Sequence, residues 1–186
     1  MSFIYHIMPV KMLGNTLYPL NTLREISKDT YAYEFHIAKY THRKILMELK
    51  MPVLNCLWND VVHCSPIDLR HIYKALIKAG HHKVKNIEFF KIPIELLKDI
   101  EFVKYKFDKE FFDIEKKAYV LTNEDIEPLT IGSYRELNEL PNKTIEWYKQ
   151  CAESGKGVPL LFRYTPHIFV KGNIPIKDVE VCDWAN

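Results

Sequence analysis

Apolar residues at helical spacing concentrate before Gly80 and strand-like runs after it, and this asymmetry most narrows the folds open to the chain. The clearest helical run is Leu69, Ile72, Tyr73, Leu76 and Ile77, all on one face of a 3.6-residue period. Ser65 suits its N-cap and Pro66 its first helical position; Asp68 suits the positive end of the helix dipole, and Gly80 stops the run. Further upstream, Asn21 can cap a helix in which Leu23 and Ile26 share a face, and 31–49 reads as more helix, interrupted near Thr41. Beyond Gly80, strands are expected at 86–92, 101–107, 117–122, 160–164, 167–171 and 179–182, with helices at 133–140 and 144–153. Phe3–Ile7 reads as a first strand. Helices early and strands late predict an α+β fold rather than a doubly wound parallel sheet.

Composition removes several function classes. A length of 186 residues fits one domain, 1–186, and 47% apolar with 27% charged residues is a globular balance that argues against disorder. A net charge of +2 lacks the basic footprint of a duplex-DNA binder, although a single strand or an end is compatible with it. Cys56, Cys64, Cys151 and Cys182 form no zinc pattern, so reduced, mostly buried thiols and no metal are expected. The N-terminal segment lacks the basic start and apolar stretch of a secretory signal. No apolar run reaches the ~20 residues that span a bilayer, so a cytoplasmic chain with no membrane partner is expected. HExxH, P-loop, GxGxxG and GxSxG motifs are missing.

Three polar clusters can carry chemistry. Tyr5-His6 ends the first strand, where His6 either meets a ligand oxygen or is a satisfied sheet histidine. The stretch from Asn55 to Ser65 holds Asn55, Trp58, Asn59, Asp60, His63 and Ser65 among apolar residues. Its amides and carboxylate offer hydrogen bonds and Trp58 a stacking face. Ser65 leads into a helix N-terminus, whose free N–H groups attract anions; a turn plus a cap is the plainer alternative. Arg163 to His167 pairs an arginine suited to phosphate or carboxylate with His167, or forms an ordinary hairpin.

In their order along the chain, Tyr5-His6-Ile7, Val62-His63-Cys64-Ser65 and Thr165-Pro166-His167-Ile168-Phe169, followed by Asn173-Ile174-Pro175-Ile176, resemble a family of small bacterial proteins within the ADP-ribosyltransferase-like superfamily. The resemblance covers the first strand, the middle motif and the last strands; 14–51 and most of 122–159 look like insertions. It implies a split, strongly bent β-sheet with flanking helices and a cleft for NAD or a related nucleotide. In that cleft His6 would grip the dinucleotide, with Asp60 and His63 as further catalytic candidates. Tyr5, Asn55, Trp58, Asn59, Ser65, Arg163 and His167 would line the cofactor site. The late strand lacks the family's glutamate. Two functions follow: transfer of ADP-ribose to a protein or nucleic-acid acceptor, or a non-catalytic nucleotide-sensing or protein-interaction module on the same fold.

Overall fold

The computed structural model describes residues 1–26, 31–110, 112–113, 118–155 and 157–186. Seven strands form two antiparallel sheets. The first holds β1 (Phe3–Ile7), β3 (Glu88–Pro93) and β7 (Glu180–Asp183), in the order β1-β3-β7. The second holds β2 (Val62–Cys64), β4 (Glu101–Tyr105), β5 (Ile126–Pro128) and β6 (His167–Lys171), in the order β5-β4-β6-β2. Among the described residues, four α-helices accompany them: α1 (Leu20–Ile26), α2 (Tyr31–Ile37), α3 (Leu69–Lys78) and α4 (Asn142–Glu153).

The period of two along each strand distributes the core. Ile4, Phe90 and Ile92 from the first sheet meet Val62, Cys64, Phe102, Ile168 and Val170 from the second in one buried cluster. The two sheets therefore share one interior. Tyr5 and Phe89, on the opposite face of the first sheet, pack under α3 and α4 with Ile72, Leu76, Tyr148 and Trp184. Val103, Tyr105 and Phe169, on the outer face of the second, pack with Met51, Leu54 and Val61. Burying a side chain such as Phe169, which is fully inaccessible, contributes about 1.5–3 kcal/mol.

The sheets meet edge to edge at one point. Tyr5 and Ser65 form an isolated antiparallel bridge between β1 and the end of β2. The short strand Thr16–Leu17 pairs with Ile174–Pro175, and Ile176 N–H donates to the Asn15 carbonyl at 3.0 Å. These bonds fix the loop after β1 beside the late chain.

The α+β expectation holds, and the strands expected at 86–92, 101–107, 167–171 and 179–182 are present within a few residues. Several local expectations do not hold. The segment 133–140 is not a helix: Thr130 and Ser133 trade side-chain and backbone hydrogen bonds in a turn, and Leu137 N–H bonds the Pro66 carbonyl at 2.9 Å. The segment 160–164 is a turn, with Tyr164 at a φ of 59°. Of 117–122 only Ala118–Tyr119 is strand, and Lys117 lies outside the described residues. Asn21 lies inside α1, and its amide donates to Asp60 instead of capping the helix. The expected interruption near Thr41 is present: α2 runs into the 3-10 turn Ala38–Tyr40, and Thr41 hydroxyl bonds the Ala38 carbonyl.

Candidate functional site

At the junction of the two sheets lies a cavity of about 130 Å³. His6 from β1, Asn59 from the 3-10 turn Trp58–Asp60, and His63 from β2 line it. Lys11, Thr16 and Tyr18 from the loop after β1, with His36, Lys39 and Tyr40 from α2 and its 3-10 extension, line it too. Among the described lining residues there is no aspartate or glutamate.

Asn59 is 2% exposed, and neither its amide nitrogen nor its amide oxygen has a partner. Burying an amide without hydrogen bonds costs about 1–3 kcal/mol. Burial, with the nearby Lys39 and His36 charges, pushes His6 down to about 4. His6 Nδ1 is also buried without a partner. Burial, with His167 and Lys39 nearby, pushes His63 down to about 3. Both rings keep some accessible surface because they face the cavity, yet protein encloses them on most sides. They are therefore neutral imidazoles near pH 7, each able to donate and to accept one hydrogen bond. His63 Nε2 lies 3.0 Å from the Trp58 carbonyl. A carbonyl only accepts, so Nε2 carries the proton and Nδ1 is the ring's acceptor.

Trp58 is a wall of the site rather than an open stacking platform. Its ring lies 4.7 Å from His63 and 5.2 Å from Phe169, and its indole N–H donates to the Tyr40 hydroxyl. That bond ties the 3-10 turn Ala38–Tyr40 to the 3-10 turn Trp58–Asp60. His167 stands in an aromatic box, 5.7 Å from Phe107, 5.9 Å from Phe162 and 6.1 Å from Tyr105, and burial pushes it down to about 4. It does not line the cavity.

The remaining sequence candidates are held elsewhere. Asp60 accepts from the Asn21 amide and from Leu57 N–H, both at 2.7 Å, closing the 3-10 turn. Asp60 and Asn55 border a different groove, with Lys50 and Cys56. Asp60 is thus a turn-closing carboxylate outside the cavity. Tyr5 points away from His6, as strand alternation requires, and its hydroxyl donates to Glu136. Ser65 hydroxyl bonds both the carbonyl and the N–H of Ile67, at 2.8 and 3.0 Å, so it shapes a turn and does not cap α3. Asp68 is the cap, accepting from Arg70 N–H at 2.9 Å. Burial opposes its charge, but Arg70 outweighs burial and holds Asp68 below the usual carboxylate range. A carboxylate therefore occupies the α3 N-terminus expected to attract anions. Arg163 is anchored at the surface, 2.6 Å from Glu110 and 4.0 Å above the Trp147 ring.

No family model, curated protein or solved structure matches the chain. All four cysteines are free, with Cys64 and Cys151 buried. Among the described residues, no group of three His, Cys, Asp or Glu side chains could hold a metal ion, and no helix is long and apolar enough to cross a membrane.

Sequence reasoning missed His36, Lys39, Tyr40, Thr16 and Tyr18 as lining residues. The available signal was the basic run 39–44 after an amphipathic helix, but it reads equally well as a solvated surface.

Proposed function

We propose that this chain binds a nucleotide, with NAD as the first ligand to test, in the cleft between its two sheets on an ADP-ribosyltransferase-like scaffold. The observation that carries the reading is Asn59: a buried amide with both polar atoms unpartnered, at a cavity shared with two neutral histidines. Such a group favours a ligand that supplies both an acceptor and a donor, as a nicotinamide carboxamide or a ribose hydroxyl does. Two sheets that share one backbone pair and a common core support the scaffold. The volume of about 130 Å³ suits one moiety, since pockets that enclose a drug-sized ligand run to roughly 300–1,000 Å³.

Binding without turnover is favoured over ADP-ribose transfer. A transferase needs groups that stabilise the cationic sugar as nicotinamide leaves. Asp60 is engaged in its turn, and no described lining residue is a carboxylate. A protein or nucleic-acid acceptor enters only if transfer occurs. Calorimetric titration with NAD, with chromatography of the mixture for free nicotinamide, tests both points. Saturable binding without release is expected; release would establish the transferase reading, and no binding at millimolar NAD would overturn the nucleotide reading.

A further inference from the structure

We infer that the segment Tyr31–Tyr40 supplies a phosphate seat in this cleft, with Lys39 as its charged anchor, so that the ligand class is a phosphorylated nucleoside rather than a free base or nucleoside. The inference rests on the nucleotide reading above and deepens it. Lys39 and Lys11 line a cavity whose remaining titratable side chains are His6, His36, His63, Tyr18 and Tyr40. With no carboxylate among the described lining residues, the wall presents cations with no anion inside it.

Lys39 ammonium lies 5.2 Å from the Tyr40 ring centroid. Burial and the neighbouring Arg43 both push its pKa down, and no carboxylate contributes to that shift. An ammonium whose cavity wall holds no carboxylate among the described lining residues gains from a phosphate, because charge-assisted hydrogen bonds are roughly twice as strong as neutral ones. His36 Nε2 donates to the Lys11 carbonyl at 2.7 Å, which ties α2 to the loop after β1 and holds the two cationic stretches at one wall. The amide nitrogen of Asn59, a residue that lines the same cavity, is a buried donor without an acceptor. Ammonium and amide are thus two donors at one cavity, suited to an oxyanion.

The positive field is also visible at His6, which Lys39 and His36 disfavour from protonation. By reciprocity, an anion seated near Lys39 raises the His6 pKa.

The test compares nicotinamide mononucleotide with nicotinamide riboside, which differ by one phosphate, using calorimetry on the wild-type chain and on Lys39→Gln. The mononucleotide is expected to bind at least about tenfold more tightly than the riboside at low salt. Lys39→Gln should remove most of that ratio. Equal affinities, or a ratio that survives in Lys39→Gln, would overturn the phosphate seat while leaving the nucleotide reading intact. Lys39-dependent binding of inorganic pyrophosphate alone, with neither nicotinamide compound bound, would support the seat and reject the nucleotide. No binding of any probe at millimolar concentration would reject both. A thermal melt of Lys39→Gln, expected within about 0.5 kcal/mol of wild type for an exposed position, separates lost binding from lost fold.

Discussion

Tyr5 N–H donates to the Ser65 carbonyl at 2.9 Å, and Ser65 N–H returns the bond to the Tyr5 carbonyl at 2.8 Å. This pair joins the two sheets at the edge where His6 and His63 approach the cavity. Glu136 backs it from the other face: its carboxylate accepts from the Tyr5 hydroxyl and from Phe3 N–H. Burial and Glu136 push the Tyr5 pKa far upward, so the hydroxyl remains a donor. Glu136→Ala removes the acceptor for a 2% exposed tyrosine. It is expected to destabilise the fold by about 1–3 kcal/mol, read as a lower urea midpoint with an unchanged m-value. An unchanged midpoint would mean the clasp contributes nothing.

Asn59 distinguishes a binding site from a structural amide. If its unpartnered amide is kept for a ligand, Asn59→Leu relieves a buried polar cost and raises stability by about 1 kcal/mol or more, while nucleotide binding is lost. A thermal melt and a titration on the same variant read both effects. Destabilisation with binding retained would show that Asn59 serves the fold instead.

Acid sensitivity follows from three buried rings. His6, His63 and His167 are pushed to about 4, 3 and 4 from an ordinary value of 6.5. Between 6.5 and those values the unfolded chain binds more protons than the folded one. Stability is therefore complete above pH 6.5 and falls as the pH drops towards 4, by at most about 1.4 kcal/mol per pH unit for each ring. Urea unfolding at pH 7.5, 6 and 5 checks the slope, and a flat profile would contradict it.

Val53 adopts a φ of 71°, with Leu54 N–H bonded to the Pro52 carbonyl at 2.8 Å in a tight three-residue turn. A β-branched residue is strained there. Val53 is 39% exposed, so little burial is lost on truncation. Val53→Gly is expected to stabilise the fold by about 1 kcal/mol, since relief of roughly 1–3 kcal/mol of strain exceeds glycine's entropy cost of about 0.5–1 kcal/mol. Thermal denaturation decides the sign.

Much of this was legible in the sequence where one local rule acts alone. The strands at Glu101–Tyr105 and His167–Lys171 were legible because β-prone apolar residues dominate both, and each strand buries side chains on both faces against different clusters. His6, Asn59 and His63, from two separate motifs, all line the cavity. Competing uses of the same side chain were not legible. Ser65 and Asp68 both fit an N-cap, and only the turn at Ile67 assigns the cap to Asp68. Asp60 fits a catalytic role until Asn21, distant in sequence, takes one of its oxygens. Lys39 and His36 were hidden because their placement depends on long-range ties, among them Trp58 to Tyr40 and His36 to Lys11.

Histidine ring resonances under NAD titration test the central claim most directly. The chain has eight histidines; His6 and His63 line the cavity beside Asn59, whereas His82 is an exposed residue outside it. Saturable shifts of the His6 and His63 ring signals, with His82 unmoved, are the predicted result. No shift at millimolar NAD, or shifts confined to exposed histidines, would contradict nucleotide binding in this cleft.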